Sequence, residues 1–197
     1  MNTKKFSSDI DIDFASRDDA LKLLKHTPAA ILKDDDVWVK HNTGVYVTDI
    51  PVNPLTGWAS IDYNAAEDRG YVKLDFLNVH VYTMIKSQAQ LDALLDQSPD
   101  WSKLYVREFC EQVIHIGNHY DTLIKMSQPV DSILKLAMFL SIIRPSKRHL
   151  IGKSWSEVSK TIWEKPSDGT YYYKKSHAVA YAHLTAVHMN LLCNLSN

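Results

Sequence analysis

The sequence predicts an α+β protein, a small mixed β-sheet followed by a helical lobe, on three observations. Strict alternation of apolar and polar residues is confined to the first hundred positions. Apolar residues at 3.6-residue spacing dominate the remainder of the chain. The 197 residues are 45% hydrophobic and 23% charged, with 6 Gly and 7 Pro, a composition suited to a packed core and not to disorder, collagen or low complexity.

The elements run in order. Asp9 to Phe14 reads Asp-Ile-Asp-Ile-Asp-Phe, so Ile10, Ile12 and Phe14 share one strand face and the aspartates share the other. Arg17 to Lys25 has helical spacing, with Ala20, Leu21, Leu23 and Leu24 as its apolar stripe and Ser16 as N-cap. Val37–Val39 and Gly44–Thr48 read as strands, Pro51–Gly57 as turn. Tyr71 to Leu77 is a second alternating strand, with Val72, Leu74 and Phe76 on one face and Lys73, Asp75 and Leu77 on the other. A helix is expected from about Val79 to Leu95, then four more over Leu104–His119, Val130–Ile143, Ser154–Glu164 and His177–Leu195. Gln97-Ser98-Pro99-Asp100 is the expected boundary, dividing the chain into lobes 1–98 and 99–197.

Charge and cysteine content narrow the function class. The net charge of -1 argues against strong non-specific attraction of the whole chain to nucleic acid or anionic lipid. Residues 1–100 nevertheless hold 10 Lys/Arg against 16 Asp/Glu, whereas residues 144–197 hold 8 against 3. Either the lobes have different electrostatic roles, or surface composition simply varies. Cys110 and Cys193 lie far apart without CxxC spacing, which argues against a zinc ribbon or a disulfide scaffold. The first residues lack a signal-peptide apolar region, and the run Ile133–Ile143, interrupted by Lys135, is too short to cross a bilayer. The expectation is a cytoplasmic protein in a reducing compartment, without a membrane partner.

The residues with most chemical potential are the carboxylates. If the strands carrying Asp11 and Asp13 and the strand carrying Asp75 are neighbours, the acidic groups converge. Like charges ~4 Å apart repel by about 1 kcal/mol in water and more near a protein surface. Such a cluster persists if a cation joins it or one group protonates, and an oxygen-only donor set suits Mg²⁺. Lys73 shares the face of Asp75 and can reach a phosphate oxygen as a point charge. By spacing alone, a half-exposed strand accounts for the same alternation.

Five segments resemble one family. Ser8-Asp9-Ile10-Asp11-Ile12-Asp13-Phe14 with Arg17-Asp18 resembles the PDxDxDF…R motif of the C-family replicative DNA polymerases, the alpha subunit of bacterial DNA polymerase III. His41-Asn42-Thr43-Gly44-Val45-Tyr46-Val47 is similar to its HxxGVVI strand, and Gly70-Tyr71-Val72-Lys73-Leu74-Asp75-Phe76-Leu77 to its GxxKxDFLG segment. Ile142-Ile143-Arg144-Pro145 resembles ALxRPGP, and Tyr173-Lys174-Lys175-Ser176-His177-Ala178-Val179-Ala180-Tyr181-Ala182 resembles the FxKSHAxAYA motif of the fingers.

The resemblance implies a nucleotidyltransferase-like palm followed by a helical, basic, fingers-like lobe. It implies Asp11, Asp13 and Asp75 as catalytic ligands of two Mg²⁺ ions, with Lys73 beside the incoming nucleotide's phosphates. Arg17, Arg144, Lys147, Arg148, Lys174, Lys175, Ser176 and His177 would contact nucleotide or DNA. The implied partners are a DNA primer-template, deoxynucleoside triphosphates, and other replication subunits or a second polymerase fragment. The stretch between Phe14 and His41 is too short for the thumb that the family places there, so another polypeptide would have to supply it. Two readings remain: a DNA-directed DNA polymerase needing other subunits, or a non-catalytic module that mimics the polymerase core and occupies its DNA or replisome partners.

Other candidates have simpler accounts. His115 and His119 stand at i, i+4 on an expected helix without the Glu of HExxH. Tyr171-Tyr172-Tyr173 beside Lys174 and Lys175 mixes stacking and cationic groups, as single-strand binders do, and equally suits a half-buried aromatic strand. Trp155 and Trp163 read as core, and Asp34-Asp35-Asp36 as a solvated turn. Arg144, Lys147, Arg148 and Lys153 come directly after a helix C-terminus, where cations are favoured; phosphate contact is the alternative.

Overall fold

The structure, a computed structural model, describes residues 10–33, 36–165 and 173–195. Of the sequence motifs, Ser8, Asp9, Asp34, Asp35, Tyr171 and Tyr172 lie outside the described residues. The chain forms two compact units, residues 1–84 and 85–197. Among the described residues no helix is long and apolar enough to cross a membrane.

The first unit is a four-stranded mixed sheet. Strand β1 is Ile10–Phe14, succeeded by helix α1 (Arg17–Lys22), whose expected cap is present: Ser16 Oγ accepts from the Asp19 N–H. Strands β2 (Thr27–Leu32) and β3 (Trp38–Tyr46) pair antiparallel. Helix α2 (Tyr63–Asp68) precedes β4 (Leu74–Asn78), and a 3-10 turn covers His80–Met84. The strand order is β1-β4-β3-β2, with β1 parallel to β4 and β4 antiparallel to β3.

Period-2 alternation decides the two faces. Leu21 of α1 packs with Val45 and Phe76, joined by Ile12, Phe14 and Leu74, on one face. Alternation therefore turns Asp11, Asp13, Gly44, Tyr46 and Asp75 to the other. That face is covered beside β3 by Ile50, Ala59 and Ala66, which pack on Tyr46.

Two expectations in this unit are corrected. The segments Val37–Val39 and Gly44–Thr48 fall within or beside one strand, β3, which pairs with β2 at both ends, over Trp38–Lys40 and at Val45 and Tyr46, with an irregular stretch between. Strand β2 itself carries no strand signal in the sequence, since Thr27-Pro28-Ala29-Ala30-Ile31-Leu32 lacks alternation and contains a proline. It survives as an edge strand with the register shifting between Pro28 and Ala30, where a missing N–H is tolerated.

The second unit is helical. The helix expected over Val79–Leu95 begins only at α3 (Gln88–Asp96), where Ser87 Oγ accepts from the Gln90 N–H. Helices α4 (Arg107–Cys110) and α5 (Tyr120–Leu123) are single turns, with 3-10 turns at Trp101–Tyr105 and Gly117–His119. The continuous helix expected over Leu104–His119 is thus absent. His115 has φ +67°, which breaks a right-handed helix. The apolar spacing is real, since Leu104, Val113 and Ile116 are buried, but successive short turns satisfy it.

Helix α6 (Ile133–Ile142) is capped by Ser132, and α7 (Trp155–Thr161) by a capping box of Ser154 and Glu157. Helix α8 (Lys175–Leu195) packs on α6 and α3. The core joins Leu136, Phe139, Leu140 and Ile142 of α6 to Val158, Ala178, Ala182 and Met189. Buried Asn190 donates to the carbonyls of Leu94 and Gln97 at 3.0 and 2.9 Å, satisfying the end of α3.

Candidate functional site

The parallel pairing of β1 with β4 sets Asp11 directly opposite Asp75 and Asp13 opposite Leu77. Asp11, Asp13 and Asp75 therefore stand on one sheet face, across two adjacent strands that are far apart in sequence. Their environments differ. Asp75 is 8% exposed, Asp13 is half-buried and Asp11 is exposed. Burial, and then the neighbouring charge of Asp11, raises the Asp13 carboxyl above its ordinary value.

Asp75 is held by its neighbours. Its Oδ2 pairs with Lys73 Nζ, and its Oδ1 accepts from Thr43 Oγ1 at 2.6 Å. Lys73 and Asp75 lie two residues apart along the chain, so alternation alone puts them side by side. The Lys73 ammonium also sits 5.9 Å from the centroid of the Tyr63 ring.

His41 organises the irregular stretch of β3 that presents Thr43. Its Nδ1 accepts the Gly44 N–H at 2.9 Å and the Thr43 N–H at 3.3 Å, which assigns the proton of the neutral ring to Nε2. Burial, with the Lys73 charge, lowers the His41 pKa, while Asp75 opposes the shift. Nδ1 is 3.8 Å from Asp75 Oδ1, but its lone pair already receives these N–H groups, so this approach is not an ion pair. Tyr46 closes the same face, its buried hydroxyl without a hydrogen-bond partner among the described residues. Burial, reinforced by the carboxylates of Asp62, Asp75 and Glu67, pushes the Tyr46 phenol up to about 12.

Among the described residues no three His, Cys, Asp or Glu side chains are grouped as a metal site requires. The donor set nonetheless matches a hard divalent ion in chemistry, because it offers carboxylate oxygens alone; Asp13 is raised first by burial and only then by the Asp11 charge, the smaller part that a cation would relieve. An ion shared with Asp75 meets a carboxylate whose Oδ2 already holds the Lys73 ammonium and whose Oδ1 already holds the Thr43 hydroxyl.

The remaining predicted residues are dispersed. Arg17 begins α1, on the opposite sheet face; its backbone N–H donates to Asn78 Oδ1 at 2.7 Å and its side chain is largely buried. In the second unit Arg144, Lys147 and Arg148 lie at a 3-10 turn, Pro145–Leu150. Lys147 Nζ donates to the carbonyls of Thr161 and Glu164 at 2.7 and 2.9 Å, so its ammonium caps α7 in place of facing a ligand. Lys175 opens α8 with its ammonium 5.9 Å from the Trp163 ring, and Ser176 is exposed beside it. Lys174 immediately precedes α8 and His177 lies in its first turn. A pocket of about 310 Å³ between α3, α6 and α8, lined by Leu94, Trp101, Ile133 and His183, contains none of these residues.

Sequence reasoning gave no role to His41, Thr43 or Tyr63. The signal available was the His-Asn-Thr-Gly run inside a strand, where a short hydroxyl and a glycine mark close approach of another side chain. Comparison of the chain with protein-family models, with curated proteins and with solved structures finds no match.

Proposed function

We propose that the chain is a DNA polymerase III alpha-like nucleotidyltransferase that transfers deoxynucleotides to a DNA 3′-hydroxyl and needs other polypeptides to grip the duplex. The observation that carries this reading is the register of Asp11 against Asp75, with Asp13 on the same face and Lys73 beside Asp75. Asp11, Asp13 and Asp75 would hold Mg²⁺. Bound there, the ions supply activation of the attacking hydroxyl and charge stabilisation at the leaving pyrophosphate. Lys73, released from Asp75, brings its point charge to a phosphate oxygen, and His41 and Thr43 keep the Asp75 carboxylate oriented.

Primer extension with Mg²⁺, deoxynucleoside triphosphates and candidate replication subunits tests the reading. Incorporation that disappears in Asp11→Asn and in Asp75→Asn supports it. Failure to incorporate with every subunit tried, together with no Mn²⁺-dependent rise in the melting temperature, overturns it.

A second reading is favoured by the closure of Asp75 on Lys73 and Thr43, since a carboxylate satisfied within the fold needs no ion. In that reading the protein is a non-catalytic module that mimics the polymerase core, and its biological activity survives Asp11→Ala and Asp75→Ala.

A further inference from the structure

We infer that the second unit carries a binding site for an organic amine with an apolar body, in the cavity of about 310 Å³ bounded by α3, α6 and α8. Small-molecule sites are concave and mostly apolar, with a few polar groups that fix orientation. The walls of this cavity are tied together by specific bonds. Asn190 of α8 donates to the Leu94 and Gln97 carbonyls at 3.0 and 2.9 Å, which fastens the end of α3 to α8. The start of α6 is set by Ser132, whose Oγ accepts from the Lys135 N–H at 3.4 Å. Buried Leu94, Ala186 and Val187, with half-buried Trp101 and Ile133, supply the apolar lining.

The charge of the lining selects the ligand. Asp96 and Asp131 line the cavity, and among the described residues no lysine or arginine does. Both carboxylates are exposed, so they stand at its open side with the apolar lining behind them. Asp131 has a reason within the fold: it precedes the N-terminal end of α6, where an anion is favoured, and its Oδ2 pairs with Lys135 Nζ at 2.7 Å. Asp96 has none. It is the last residue of α3, at the negative end of that helix, where a carboxylate is disfavoured. It also has no ion pair among the described residues.

An ammonium group at the open side meets Asp96, Asp131 and the negative end of α3 together. The apolar body of the same molecule then enters the lining, where the Trp101 ring can stack on it or receive the cation on its face. A neutral solute leaves both carboxylates without a counter-charge, and a phosphate is repelled by them. The ligand is therefore of a different class from a nucleotide, and the site does not rest on the nucleotidyl-transfer reading.

The Trp101 indole N–H signal of the nitrogen-15-labelled full chain, assigned with Trp101→Phe, is followed by NMR at pH 8 and fixed ionic strength. Tryptamine and indole-3-propionate, which share an apolar body and carry opposite charges, are titrated separately. The expected result is saturable movement with tryptamine and at least tenfold weaker binding of the propionate. Tryptamine affinity should fall at least threefold in Asp96→Asn and in Asp131→Asn, and binding should disappear in Ile133→Trp, which fills the cavity. Because Asp96 is exposed and unpaired among the described residues, its variant tests the site even if Asp131→Asn disturbs Lys135. A stationary signal with tryptamine, equal binding of the two probes, unchanged affinity in Asp96→Asn, or binding that survives Ile133→Trp overturns the inference. Primer extension is scored independently, so a chain that extends primers while the Trp101 signal stays fixed refutes this site alone.

Discussion

Gly44 lies opposite Asp75 across the β3–β4 pairing, and the space a side chain would need at position 44 is filled by the stem of Lys73. A Cβ there would sit 2.7 Å from Lys73 Cδ and 3.0 Å from His41 Nδ1. The glycine therefore makes the Lys73–Asp75 pair possible, because it lets the lysine stem lie flat across the neighbouring strand.

Gly44→Ala is expected to displace Lys73 from Asp75 and destabilise the protein by about 1–3 kcal/mol, the range for overpacking a filled interior. Urea unfolding measures it. A variant as stable as the parent would show that the lysine stem moves aside freely.

Removing the ammonium while keeping the stem isolates the ion pair. Lys73→Met leaves a buried Asp75 carboxylate with Thr43 as its remaining hydrogen-bond partner, and is expected to cost about 2 kcal/mol. Lys73→Met combined with Asp75→Asn should cost less than the sum of the single changes, with a coupling of about 1–2 kcal/mol in a double-mutant cycle. Additive losses would mean that the pair contributes nothing.

Acid should weaken the fold through His115. Burial, helped by Arg144 and His188, holds its pKa down from 6.5 to about 4. The unfolded chain takes up a proton near pH 6.5 while the folded chain refuses it until near pH 4. The stabilising contribution is therefore complete above about pH 6.5 and is lost as the pH falls towards 4, by roughly 2 kcal/mol after allowance for partial exposure. His115→Asn, which suits a positive φ, should flatten that part of the stability curve. His41 and His119 shift in the same direction and leave a residual slope.

Two glycines separate strain from clash. Gly57 has φ +73° and nothing within 4 Å of its ideal Cβ, so Gly57→Ala carries only the left-handed backbone penalty, about 1 kcal/mol. Gly117→Ala drives a methyl against the Glu111 carbonyl and should cost clearly more, while also shifting the NMR signals of His115 and His119. Equal losses in thermal unfolding would refute the distinction.

Local pattern sufficed wherever a nearby residue decides the outcome. The β1 and β4 alternation, the cap at Ser16 and the apolar run of α6 rest on backbone periodicity and on groups within four residues. Where partners lie far apart along the chain, the sequence was silent or misleading. The edge position that admits Pro28 into β2 is a property of the whole sheet. The break at His115 turns a helix-like spacing into separate turns, since apolar periodicity records which residues are buried and not whether the backbone between them is continuous.

The sequence by itself determined that Asp11 and Asp13 share one strand face and that Lys73 and Asp75 share another, because side chains of a strand alternate. Tertiary structure alone decided that those faces coincide. A one-residue slip between β1 and β4 would have turned one acidic set into the apolar layer beneath α1, and it is the packing of Ile12, Phe14, Val45 and Phe76 against Leu21 that excludes the slip.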